Sequence, residues 1–299
     1  MTKQVLKIIS LYCISVLMFS NCSSNDENSV SDNEALIKVD SIISSVDSSK
    51  MTELDNETSY TLPSALQMAS IFKKSGLKFI PGITNTADNV KNYNSSNYSR
   101  AINLGIYSSD LAYVLLNKQS NDSKVYLKAC KDISAQLGLN KAFEDNNLLQ
   151  RFDKNIGRED SLLEIVADIQ METDILLEEN KQKHITVIAF AGAWVETVYI
   201  AAKVYSIDKN KKVSFSLMEQ FTIVRNIIKA LRVNEEKESE IKDLSADIMS
   251  ILNVFENTES IKKAAKKEDE ADFSKVILSD EEFAVIEARI VEVRTKLVK

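Results

Sequence analysis

The chain has 299 residues, 44% hydrophobic and 27% charged, with six glycines, two prolines, three cysteines and one histidine. A single His excludes any site built on two imidazoles, and Cys13, Cys22 and Cys130 give neither a disulfide framework nor a Cys-rich zinc site, so no metal or cofactor is expected. The net charge of -7 argues against a general affinity for nucleic acid, because phosphate binding needs a basic surface; the scarcity of Gly and Pro disfavours phosphate loops and turn-rich β-sandwiches.

In chain order, Met1 to Lys7 carries two lysines and no acid, Ile8 to Phe19 is apolar apart from Ser10 and Ser15, and a polar stretch follows Cys22. This is the tripartite shape of a secretory signal peptide, with an apolar region too short for a permanent bilayer span. Met18-Phe19-Ser20-Asn21-Cys22 resembles the lipobox of bacterial lipoproteins, departing from it with Phe19 where Leu is common and Asn21 where Gly, Ala or Ser is common. Looser boxes of this kind resemble those of Bacteroidota lipoproteins. The resemblance implies removal of residues 1–21, acylation of the Cys22 thiol with diacylglycerol, further acylation with palmitate, and attachment to the cell envelope, at the periplasmic face of the outer membrane or at the cell surface. One acyl chain holds a protein to a bilayer only marginally, whereas several hold it firmly. Plain secretion and an uncleaved anchor are the alternatives.

Residues 22–60, rich in Ser, Asn, Asp and Glu, read as a tether. Within it, Leu36, Val39, Ile42, Ile43 and Val46 have helical spacing. Asp26-Glu27 resembles the acidic signals that export some Bacteroidota lipoproteins to the cell surface; an ordinary polar linker is the plainer reading.

From Pro63 onward apolar residues recur at three and four, the helical period, and no long alternating run suggests a strand. The pattern predicts helices near 63–75, 97–118, 121–137, 140–155, 159–180, 185–206, 214–232, 238–256 and 279–298. Ser161/Glu164, Ser216/Glu219 and Ser279/Glu282 fit the capping box that starts a helix. The expected fold is all-α, a multi-helix bundle or an array of helical hairpins around two central apolar helices, Arg100–Leu116 and His184–Tyr205. The second has only Glu196 charged between Ile185 and Ala202; its Gly and Ala content favours a buried core helix over a membrane span. The helical core is assigned to 61–256. A polar stretch at 257–278 reads as linker or solvated helix, and Phe283, Ile286, Ile290, Val293 and Leu297 form a stripe that should pack on the core. The long loop from Gly76 to about Asn97 carries Phe79, Tyr93 and Tyr98, which either cover the core or meet a ligand.

The two central helices share a loose motif. Gly105-Ile106-Tyr107 precedes Asp110 and Tyr113, and Gly192-Ala193-Trp194 precedes Glu196 and Tyr199. Helical neighbours of each carboxylate are largely apolar or aromatic, so both should be partly buried, and a buried carboxylate must be paired, hydrogen-bonded or protonated. Two readings follow. Asp110 and Glu196 line an internal pocket as an acid and base, with Tyr107, Tyr113, Trp194 and Tyr199 as ligand contacts; or each is satisfied structurally by a Tyr hydroxyl or by Arg225. The glycines would let the two helices approach closely.

His184 is expected exposed, and Cys130 is expected to be a core thiol. No Walker loop, dinucleotide fingerprint, G-x-S-x-G elbow or HExxH occurs. Asp40-Ser41-Ile42 and Asp160-Ser161-Leu162 match the short signature of periplasmic O-glycosylation in Bacteroidota; Ser41, in the tether, is the better candidate.

Leu62-Pro63-Ser64 through Lys74-Ser75-Gly76, Ala101 to Tyr107 with Asp110-Leu111, Arg151-Phe152, Asp160 to Leu163, and Ala191 to Glu196 together resemble an uncharacterised family of all-helical Bacteroidota lipoproteins. The likeness covers about half the chain and implies no activity. The expectation is a lipid-anchored helical binding or scaffold module of the cell envelope, with an envelope protein or small molecule as partner. The alternative is a hydrolase or lyase using Asp110 and Glu196.

Overall fold

A computed structural model describes residues 64–143, 148–265 and 276–299. The tether, Cys22 and Ser41 lie outside these residues. The described residues are helical with no strand: α1 (Ala65–Lys74), α2 (Asn97–Leu116), α3 (Ser120–Gln136), α4 (Leu148–Lys154), α5 (Glu159–Glu179), α6 (Lys183–Asp208), α7 (Lys211–Val233), α8 (Glu240–Asn257), α9 (Glu259–Ala265) and α10 (Asp280–Leu297). Short 3-10 turns occupy Ala87–Asn92 and Asn140–Phe143.

The all-α expectation holds, and α2 and α6 form its centre: they make the most extensive contact of any helix pair. The reason is steric. Gly105 faces the Ala189 carbonyl so closely that an added Cβ would sit 1.7 Å from its oxygen, and a Cβ on Gly192 would sit 2.2 Å from the Ile102 carbonyl oxygen. Each helix thus offers a glycine where the other's backbone passes. Every residue of α2 from Ala101 to Leu116 is buried except Ser108, which is half-buried. Helix α6 is long and apolar enough to cross a membrane by composition, yet 78% of its apolar window is buried inside the fold.

Amphipathic helices surround this pair, with α1, α3, α5, α7 and α10 packing on it and α8 joining α7 to α10. The stripe Phe283, Ile286, Ile290, Val293 and Leu297 is buried against α6 and α8. Helix α10 starts with the expected capping box: Ser279 Oγ accepts from the Glu282 N–H, and Glu282 also accepts from the Ser260 N–H (2.8 Å) and hydroxyl (2.7 Å), tying the starts of α9 and α10 together. The other two capping boxes are corrected. Helix α5 begins at Glu159, before Ser161, and α7 begins at Lys211 under an Asn210 cap, before Ser216. Ser216 instead makes a 2.5 Å hydroxyl contact with Ser75, whereas a true capping box, Ser64 with Gln67, starts α1. The helix expected over 140–155 is a 3-10 turn followed, after residues outside the description, by the short α4. Of the two readings for 257–278, linker or solvated helix, the described part is helical at α9, and Val276 and Leu278 beyond it are buried.

Candidate functional site

Asp110 on α2 and Glu196 on α6 both have 0% exposure and lie together in the core. Their partner is neither of those expected from sequence. Arg294, on the last turn of α10, grips Glu196 through two bonds, Nε to Oε2 at 2.9 Å and Nη2 to Oε1 at 3.0 Å. A bidentate guanidinium–carboxylate pair is the strongest side-chain geometry for burying a charge. The guanidinium also lies 4.6 Å over the Tyr199 ring, which supplies a cation–π contact. Arg225 instead pairs with Glu256 at the surface.

Asp110 accepts the Asn85 N–H at Oδ2 (3.1 Å), while Oδ1 meets no donor. Burial and the adjacent Glu196 charge push the Asp110 pKa well above the carboxylate range. Burial also raises Glu196, but Arg294 and a hydrogen bond from Asp110 oppose the rise. Of the two acids, Asp110 is the one held toward its protonated form, next to the Glu196 carboxylate. A neutral acid, an anion and a cation in series leave the core without net charge.

Two covers close this layer. Over α2, the segment 77–96 is held by tyrosine hydroxyls: Tyr113 donates to Lys78 O (3.0 Å) and accepts the Ile80 N–H (2.7 Å), Tyr107 donates to Thr86 O (2.8 Å), and Tyr126 to Thr84 (2.6 Å). Tyr107 and Tyr113 thus anchor the loop and do not satisfy the carboxylates. From the other side the end of α10 docks through Tyr93 hydroxyl to Val298 O (3.1 Å) and Asn103 Nδ2 to Leu297 O (3.3 Å), beside Arg294. Of the loop aromatics, Tyr93 is buried, Phe79 packs half-buried against the core, and Tyr98 belongs to α2. Trp194 is fully buried, its ring edge-on to Phe221. The arrangement does not give Asp110 and Glu196 the accessible pocket of an acid–base site.

Open space lies elsewhere on the same helix pair. A cavity of about 160 Å³ sits between α2, α3, α5 and α6, with the start of α1 at its edge. Small side chains create it: Gly105, Ser108 and Ala112 on α2 face Ala189 and Ala193 on α6, while Leu127, Ile169, Leu177 and Phe190 form apolar walls. Neither carboxylate of the buried pair is among the walls. Cys130 is, and burial raises its thiol to about 12, which keeps it a protonated core thiol. Ser134, fully buried, has no hydrogen-bond partner for its hydroxyl. At the rim stands Asp174, an exposed side chain whose carboxyl is pushed up to about 6 by the neighbouring protein atoms. Sequence reasoning passed over this site because Asp174 lies on an ordinary amphipathic helix and its chemistry comes from what three other helices bring beside it. His184 is half-buried at the start of α6, not exposed, and burial lowers its pKa. Among the described residues no cluster of three or more His, Cys, Asp or Glu could hold a metal.

The fold and these two regions define an all-α protein with a sealed polar core and a separate apolar cavity. Compared with known proteins, no family model, curated protein or solved structure matches the chain.

Proposed function

We propose that the protein is a lipid-anchored module of the cell envelope, attached through Cys22, whose helical body binds a small molecule in the cavity between α2, α3, α5 and α6. The cavity carries this reading. Protein interiors are close-packed, and a space of about 160 Å³ with mostly apolar walls and a few polar groups has the lining of a small-molecule site, at a size that suits only a compact ligand. The lysine-flanked apolar leader and the lipobox-like Met18 to Cys22 support the anchor, and the polar stretch 22–60 supports a tether between lipid and body. Hydrolase or lyase chemistry at Asp110 and Glu196 draws no support from the geometry, since Arg294 and Asn85 engage the pair and both acids are sealed from solvent.

Radiolabelled palmitate fed to cells expressing the chain tests the anchor. Label in the protein, lost in Cys22→Ala, is the expected outcome; equal labelling of both, or of neither, would refute it.

A further inference from the structure

Resting on the reading that the cavity is a binding site, we infer that its ligand is a compact primary amine: an apolar body about the size of a benzene ring in the cavity, with the ammonium on Asp174 at the rim. Three observations carry this. The volume of about 160 Å³ is close to that of apolar cavities, on the order of 150 Å³, that take up benzene. Asp174 is the only charged residue in the walls and has no ion-pair partner among the described residues, so the rim offers uncompensated negative charge beside apolar surface. An ammonium group satisfies that charge, whereas a carboxylate ligand would be repelled. Third, the buried Ser134 hydroxyl lacks any protein partner, and a buried polar group left unmade is costly unless something else meets it. A polar substituent on the ligand body is the natural partner.

Beside Asp174 on α5, the Thr173 hydroxyl is already committed to Ile169 O at 2.8 Å.

Isothermal titration of the purified full-length chain with phenethylamine, ethylbenzene and phenylacetate tests the assignment. The amine is expected to bind at least about tenfold more tightly than ethylbenzene, as a charge-assisted contact supplies, and phenylacetate is expected to bind more weakly than either. Asp174→Asn should abolish the preference for the amine while ethylbenzene binding changes less than about threefold. Because Asn is isosteric and α5 presents Asp174 to solvent, this variant should fold, and far-UV circular dichroism checks that it does; Asp174→Ser provides a second reading. Equal affinity for amine and hydrocarbon, or a preference that survives Asp174→Asn, overturns the ligand class but leaves the cavity a binding site. Binding of none of the three overturns both.

Discussion

The two faces of the α2–α6 pair use burial in opposite ways. On one face, groups that dislike the interior are brought in and given partners: Asp110 Oδ2 with the Asn85 N–H, Glu196 with Arg294, Ser109 with Thr197 at 2.7 Å. On the other, apolar walls that should close on each other leave a void, with an unpaired carboxylate at its rim and an unpaired hydroxyl in its wall. Polarity alone is therefore a poor guide to function. The more conspicuous carboxylates are held by Asn85 and Arg294, whereas Asp174, in the plainer region, has no ion-pair partner among the described residues.

The largest effect should come from breaking the sealed face. Arg294→Ala strands the Glu196 charge in the core and is expected to cost about 3–5 kcal/mol in urea unfolding. Pairing Arg294→Met with Glu196→Met should recover most of that loss, because an apolar pair of similar volume needs no compensation. If the single variant costs under about 1 kcal/mol, the bidentate pair is not the lock described.

Next comes the seam between the faces. Gly105→Ala gains about 0.5–1 kcal/mol in helix propensity but drives a methyl into the Ala189 carbonyl, so a net loss of about 1–3 kcal/mol is expected from the same unfolding measurement. A net gain would show that the helices are less closely apposed.

The open face should respond with the opposite sign. A carboxyl whose folded pKa is raised binds more protons folded than unfolded between its ordinary 3.8 and about 6. Its cost to stability is thus absent below 3.8, grows as pH rises, and is complete above about 6. Because Asp174 is exposed and water screens its charge, Asp174→Asn should raise the Tm at pH 7.5 by no more than about 1 °C, with the advantage vanishing toward pH 4.5. An advantage independent of pH would separate it from the carboxyl.

Smallest of all should be Asp110→Asn. The acid already carries its proton, and an amide can accept from Asn85 and donate to Glu196 in the same way, so a change within about 0.5 kcal/mol is expected at pH 7. A loss comparable to that of Arg294→Ala would mean that Asp110 is ionised.

Much of the sealed face was legible in the chain. The two all-round apolar helices, their glycines and their embedded acids come from period and spacing, which are local. Arg294 was not legible, although it follows Val293 at the border of an apolar stripe, because Arg225 sits beside the same kind of stripe and only tertiary packing, across 98 residues, separates them. The S-x-x-E pattern misled at Ser161 and Ser216 for a related reason: helices continue upstream when earlier residues can be buried or capped, as Asn210 does for α7. The cavity was not legible at all, because a void is a property of four helices and has no residue of its own. The lysine-flanked leader and Cys22 fall outside the described residues and rest on the sequence pattern.

A crystal of the protein pressurised with xenon measures the contrast directly, since xenon enters apolar voids and avoids filled polar layers. A xenon atom is expected among Leu127, Ile169, Leu177 and Phe190, and none beside Asp110 and Glu196. Xenon beside the carboxylates, or none between α2, α3, α5 and α6, would contradict it.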